Sequence, residues 1–510
     1  MAKAIMLQGT SSHVGKSILT TALCRIFKQD GQRVTPFKSQ NMALNSYVTK
    51  TGGEMGRAQV AQAEAAGLEP AVDMNPVLLK PTGNSCSQVI VMGKPVGNMS
   101  AKEYHSGYSL TALGVVTECL QRLHNDFDII VIEGAGSPAE VNLKDNDIVN
   151  MRIAKLAPAP VLLIADIDRG GALASVVGTL ELLDPDERDL VKGIIINKFR
   201  GDINLLKPAL DFLETKTGKP VLGVIPHLDR LGIDDEDSVS LEDKQQSDTT
   251  GEIDIAVLRL PKISNFTDFD ALGNESDVRV RYVRQGEAIG KPDLIILPGS
   301  KNTTEDLLYL RNNGYEQELI KLVKSGTPVV GICGGYQMLG REVQDPDHTE
   351  SDLDQVMGLG LIDSITIFEA DKVTHQVKAA ANNHRFLGIN YSGDNLTGYE
   401  IHMGRTQFMT PVDPAFTIVT RSGEQIAMSD GAVTADGLVM GTYMHGIFDN
   451  DAYRRAVLDA LRVRKGLAPL GTMLNTQARK DAAYDRLADV VRQSMNMDLV
   501  YRIMNESTGK

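Results

Sequence analysis

Ala4-Ile5-Met6-Leu7 runs without a turn into Gly9-Thr10-Ser11-Ser12-His13-Val14-Gly15-Lys16-Ser17, and from there into a helical pattern lasting to about Gln29. Strand, glycine-rich loop and helix in that order constrain the fold more than composition does. The helix has to run back along the sheet that holds the strand, and the next strand then lies parallel to the first. The loop is equally specific in chemistry. Its N–H groups and the helix N-terminus cradle phosphate oxygens, Lys16 neutralises the β/γ charge, and Ser17 offers a hydroxyl to Mg²⁺. Gly9, Gly15, Lys16 and Ser17 are therefore the expected contacts to ATP.

The pattern repeats. Apolar strands are expected at 33–37, 88–92, 128–132, 160–165, 192–196 and 221–225, with helices over 54–66, 110–124 and from about 173. Strands apolar along their whole length belong to a parallel sheet covered on both faces, and its ligands collect at the carboxyl ends of the strands. Polar clusters stand at those ends. Glu133, followed by Gly134-Ala135-Gly136, reads as a second Mg²⁺ ligand or as a plain solvated strand end. Asp166-Ile167-Asp168-Arg169-Gly170-Gly171 closes the next strand. Asn197-Lys198-Phe199-Arg200 closes the one after, with Asn197 placed to pack a nucleotide base. Lys38-Ser39-Gln40-Asn41 and Lys80 fall in loops of the same region. Lys38, Gln40, Asn41, Lys80 and Asp168 are thus expected to meet an anionic substrate.

A second apolar series begins at 253–258 and 278–283 and reaches Val329-Val330-Gly331-Ile332-Cys333-Gly334-Gly335-Tyr336. A strand entering Gly-x-Cys-x-Gly and then a helix is the layout of a nucleophile elbow, where the bend leaves no room for neighbouring Cβ atoms. Cys333 would be the nucleophile, biased toward thiolate by the helix N-terminus, and the Gly334 N–H would face the developing oxyanion. A nucleophile of this kind needs a general acid/base to protonate the leaving group. His445, just past the strand pattern Leu438-Val439-Met440-Gly441-Thr442, is the first candidate and His402 the second.

The four cysteines lie far apart, which indicates neither a disulfide framework nor a zinc site. A net charge of −14 speaks against a nucleic-acid or anionic-membrane partner. With no apolar segment of spanning length, a cytoplasmic protein is expected. Asp234-Asp235-Glu236-Asp237 and Gln245-Gln246-Ser247-Asp248 read as a solvated linker or, more weakly, a metal site. The chain therefore divides into 1–235, which carries the phosphate loop; 236–250, an acidic linker; 251–460, which carries the cysteine elbow; and 461–510, a helical segment. An oligomer is compatible with the sequence and not required by it.

Three resemblances sharpen this reading. The phosphate loop, with five residues between its glycines, resembles that of dethiobiotin synthetases, which activate a carboxylate with ATP. The second half resembles class I glutamine amidotransferases, which implies an oxyanion amide from the Gly299/Ser300 turn. Phe37 to Asn45, Glu133 to Glu140 and Asp166 to Gly171 together resemble the cobyric acid synthase family over essentially the whole chain. That resemblance implies an α/β fold with a P-loop parallel-sheet domain, a glutamine amidotransferase domain and C-terminal helices. It implies ATP, Mg²⁺ and glutamine, and a corrinoid substrate: adenosylcobyrinic acid a,c-diamide, amidated at its b, d, e and g carboxylates. It also favours His445 over His402. The Glu usual two residues after the class I histidine is Ile447 here, so Glu400 or Asp449 is expected to orient the imidazole instead. Amidation of another carboxylate, such as cobyrinic acid at a and c, would use nearly the same motifs. A partitioning-type nucleotide switch would carry an early loop Lys in a Lys-Gly-Gly context, which is absent, and would not need Cys333.

Overall fold

The apolar runs of the first half pair in parallel. β1 (Lys3–Gly9), β2 (Val34–Phe37), β3 (Ile129–Glu133), β4 (Val161–Asp166), β5 (Val191–Phe199) and β6 (Val221–Pro226) form a six-stranded sheet in the order β6-β5-β4-β1-β3-β2. The structure is a computed structural model that describes residues 2–83, 85–228, 231–233, 251–381, 385–389, 391 and 393–507. The expected linker, 236–250, lies outside the described residues. Strand periodicity sends Met6, Ile130 and Leu163 to one face and Ile5, Val131 and Leu162 to the other. Helices cover both faces. Burying each such side chain contributes about 1.5–3 kcal/mol, so the sheet is a firm platform for the loops at its carboxyl edge.

The second half repeats this layout. β7 (Ile253–Leu258), β8 (Val278–Val283), β9 (Leu294–Leu297), β10 (Val329–Ile332), β11 (Ala432–Val433) and β12 (Val439–Thr442) are ordered β8-β7-β9-β10-β12-β11, parallel except for the last pair. Both domains therefore place strand ends, and the chemistry on them, along one sheet edge.

Two features depart from the sequence reading. The strand expected at 88–92 is not in the central sheet. It spans Cys86–Val91 and pairs antiparallel with Val77–Gly83 and Lys94–Ser100. Met92 and Gly93, both at positive φ (48° and 73°), form the two-residue turn, and so short a link can join only antiparallel strands. Between β10 and β11 the chain builds a further, mostly antiparallel sheet around the hairpin Ser364–Ala381 and Leu396–Phe408. That hairpin reaches the first domain: Lys372 Nζ is 2.6 Å from Glu54 Oε2, and Gln376 Nε2 donates to the Tyr47 hydroxyl at 2.8 Å.

The C-terminal helices divide between the domains. Tyr453, Val457 and Leu461 of Asp451–Arg464 pack under the second sheet. Tyr484, Leu487 and Val491 of Thr476–Ser494 return to the first, where Arg25 Nε meets Asp485 at 2.7 Å. Among the described residues no helix is long and apolar enough to cross a membrane.

Candidate active site

At the end of β1 the chain turns through the loop 9–17 into the helix Lys16–Gln29. Gly15 holds φ 99°, and a Cβ there would stand 2.2 Å from Asn197 Nδ2, so only glycine fits. Lys16 Nζ donates to the Ser11 and Gly136 carbonyls at 3.1 and 3.0 Å, spanning the loop and the turn after β3. Ser17 Oγ donates to Glu133 Oε1 at 2.8 Å. Glu133, buried at 1% exposure, also accepts from Lys38 Nζ (2.8 Å) and Gln62 Nε2. A hydroxyl and a carboxylate oxygen side by side suit a hard cation. Among the described residues no three His, Cys, Asp or Glu side chains could hold a metal together. Such an ion would draw most of its shell from phosphate and water, which is the habit of Mg²⁺.

The loop opens on a cleft of about 1250 Å³. Gly15, Lys16, Ser17, Glu133, Lys38, Gln40 and Asn41 line it, together with Lys144, Arg152, Lys155, Arg169 and Lys198. Glu140, Asp145, Asp147, Asp184 and Glu187 line it as well, and Lys144 and Lys155 are ion-paired with Glu187, so the cleft mixes both signs of charge. Four residues read from the sequence as ligand contacts, Gly9, Asn197, Lys80 and Asp168, are not among its lining. Asn197 Nδ2 donates to the Val14 carbonyl at 2.7 Å and braces the loop from behind. Lys80 is not in a loop: it lies within the strand Val77–Gly83, buried, with its Nζ on Glu54 Oε1 at 2.8 Å. Asp168 is turned toward Arg200, 3.3 Å away.

In the second domain Cys333 follows β10 at φ 51°, ψ −108°, a conformation costly for a residue with a Cβ. Its backbone N–H donates to the Thr442 carbonyl, and its Sγ lies 3.4 Å from the Ile401 carbonyl oxygen. The helix Gly334–Leu339 begins at once. A Cβ on Gly335 would fall 2.0 Å from the Leu297 oxygen, so this helix can dock on β9 only with glycine there. A Cβ on Gly334 would stand 2.8 Å from the Ser300 amide nitrogen, which places that amide against the elbow. Gly299 is equally close to the histidine: a Cβ there would be 3.1 Å from His445 Cε1.

His445 is 1% exposed and follows β12. Its Nδ1 is 2.6 Å from Asp268 Oδ2, and Asp268 Oδ1 accepts the Gly446 N–H at 3.1 Å. Burial alone would lower the pKa of this imidazole. The Asp268 carboxylate and neighbouring Cys333 outweigh it and hold the group up to about 10. His402 is the opposite case, pushed down to about 3 by burial, with its ring stacked on Tyr443 and Nδ1 facing the Gly404 carbonyl at 2.8 Å.

The orienting carboxylate is therefore Asp268, not Glu400 or Asp449. Glu400 is engaged by Arg421 at 2.8 Å, and the Gly446 N–H that precedes Asp449 is taken by Asp268. Asp268 sits in the turn Phe266–Phe269, which follows β7 at the same sheet edge as the elbow.

A cysteine elbow with a buried His–Asp pair on one parallel sheet, joined to a phosphate loop on another, defines a two-domain glutamine amidotransferase of the nucleotide-binding kind. Family models agree by domain. Residues 5–240 match the CobQ/CobB/MinD/ParA nucleotide binding domain, and residues 254–453 match the CobB/CobQ-like glutamine amidotransferase domain. Whole-chain relatives are close. The cobyric acid synthase of Pelotomaculum thermopropionicum is 58% identical over 99% of this chain and 97% of its own length. That of Moorella thermoacetica is 56% identical over 99% and 98%, and that of Desulforamulus reducens 54% over 100% and 99%. The chain belongs to the cobyric acid synthase family, glutamine-dependent amidating ligases.

Proposed function

We propose that this protein converts the b, d, e and g carboxylates of adenosylcobyrinic acid a,c-diamide to amides, using ATP and the side-chain nitrogen of glutamine. One observation carries the substrate class: the cleft at the phosphate loop. At about 1250 Å³ it exceeds the roughly 300–1,000 Å³ of ordinary small-molecule sites. Its walls carry cations beside carboxylates, and exposed Met42 and Leu143 on them suit a large ligand with an apolar body and polar arms. The names of the close relatives point the same way.

Cys333 Sγ attacks the glutamine carboxamide, and the oxyanion faces the amides of Gly334 and the Gly299/Ser300 turn. His445, as imidazolium, protonates the departing ammonia; the thioester is then hydrolysed to glutamate with His445 accepting the proton from water. In the first domain the loop amides and Lys16 hold the triphosphate, and a substrate carboxylate oxygen attacks the γ-phosphorus, releasing ADP. Ammonia displaces phosphate from the acyl phosphate and leaves the amide. Ser17 and Glu133 would hold Mg²⁺, which spreads the charge of the transferring phosphoryl group.

Mass spectrometry of the a,c-diamide incubated with the protein, MgATP and side-chain ¹⁵N-glutamine tests the whole proposal. A ladder of acid-to-amide steps, each carrying ¹⁵N, is the expected result. Glutamate release without any mass shift would direct the search to another carboxylate.

Asp268→Asn tests the His445 assignment. Its expected effect is a roughly 10²- to 10⁴-fold loss of glutaminase rate. The sign with pH is fixed by the raised value. The imidazolium is lost as pH rises through its pKa, so wild-type activity should persist toward pH 10. In the variant only Cys333 still opposes burial, so the alkaline limb should move to lower pH. An unmoved limb would show that Asp268 does not set the charge of His445.

A further inference from the structure

The two proposed reaction centres lie in different domains, and one stretch of chain touches both. At its start Lys38 Nζ meets Glu133, and Gln40 and Asn41 line the nucleotide cleft. Farther along, the stretch enters the second domain. Asn45, fully buried, accepts through Oδ1 from the Phe266 N–H at 3.1 Å. Ser46 donates its N–H to Asn265 Oδ1 at 3.1 Å. The Ser46 carbonyl accepts from the Tyr399 hydroxyl at 3.3 Å, and Asn265 Nδ2 donates to that hydroxyl at 3.2 Å.

These contacts lead to both halves of the catalytic pair. Asn265 and Phe266 open the turn that carries Asp268, whose N–H donates to the Asn265 carbonyl at 3.0 Å. Tyr399 lies flat on the His445 imidazole, with centroids 5.1 Å apart and planes at 14°, and His445 N–H donates to the Tyr399 carbonyl at 2.9 Å. Support for the carboxylate and for the ring is thus fastened to the first domain. Displacement of a catalytic group by about 1 Å can cost roughly 10²-fold in rate, so fastening of this kind has kinetic consequence.

We infer that Asn45 and Ser46 of the first domain are positioning residues for the second domain's Asp268–His445 pair, acting through Asn265, Phe266 and Tyr399, so that glutamine hydrolysis is aligned only while this strap is seated. The inference rests on the proposed roles of Cys333 and His445. It extends them by making the glutaminase centre a product of both domains.

Asn45→Ala and Asn265→Gly test it. Asn265 holds φ 52°, which glycine adopts freely, so the second variant removes the side-chain hydrogen bonds without straining the backbone. Each is expected to lower glutaminase kcat by roughly 10-fold or more. The KM for glutamine should stay near wild type, and so should synthesis driven by added ammonia, which bypasses the pair. Unchanged kcat overturns the inference, and so does a raised KM with kcat preserved, the mark of a binding role. If Asn45→Ala also loses ammonia-driven synthesis, its own domain is disturbed and Asn265→Gly, in the other domain, decides. Cys333→Ala measured alongside separates the two levels: intact glutaminase in that variant would overturn the reading of the site itself.

Discussion

Replacing Cys333 with alanine is expected to lower glutamine-driven amide synthesis by on the order of 10⁴-fold or more, while ammonia-driven synthesis by the same preparation stays near the wild-type rate. The size follows from the chemistry. The hydroxyls beside the elbow, Ser300 and Thr303, are committed to Asp306 and Gln337, and His402 is held neutral beside Tyr443. The clean separation of the two nitrogen sources follows from the fold. Cys333 sits on its own sheet, in a different domain from the phosphate loop. Alanine and cysteine bear the same strain at φ 51°, so the backbone gains no new cost, and losing one sulfur from a buried site costs only about 1 kcal/mol. Comparing initial rates with glutamine and with ammonium at alkaline pH reads both arms. Loss of both in a folded variant would mean that Cys333 serves the synthetase step as well.

The motifs most legible in the sequence were local ones. The phosphate loop and the cysteine elbow each announce themselves within about a dozen residues, because strand, tight turn and helix are consecutive and their glycines are dictated by close contacts nearby. Glu133 could be read in the same way from its place at a strand end, and the structure brings it to Ser17 as well as to Lys38. What could not be read was long-range pairing. Asp268 and His445 are 177 positions apart, and nothing local distinguishes Asp268 from Asp270 until the turn is folded. The placement of Lys80 in a loop fails for a related reason: it lies within a strand, and whether such a side chain faces a ligand depends on a partner, Glu54, that composition does not reveal. The hairpin 364–408 and its grip on the first domain carried no motif at all. Its role emerges only from the interface it makes.

Lys16→Ala should give the opposite signature: loss of synthesis from either nitrogen source by roughly 10²- to 10³-fold, with glutaminase retained. A phosphoryl transfer is governed by positioning and charge, so removing the one lysine of the loop subtracts stabilisation that grows as the γ-phosphate departs. Stability should not confuse the result. Lys16 Nζ donates to two backbone carbonyls, those of Ser11 and Gly136, and leaving buried acceptors unpaired costs about 1–3 kcal/mol, less than the roughly 5–15 kcal/mol that hold an ordinary protein folded. Glu133→Gln would be a poorer choice, since it strips the buried Lys38 of its counter-charge at 2.8 Å, and an unpaired buried charge costs roughly 3–5 kcal/mol. MgATP should raise the unfolding temperature of the wild type through binding to the native state, and raise that of Lys16→Ala less. Undiminished ammonia-driven synthesis in the variant would remove Lys16 from the phosphate site. A parallel fall in glutaminase would instead mean that the loop is felt at His445, and the contacts from Lys38 to Asn45 and on to Phe266 are the physical route by which such a signal would travel.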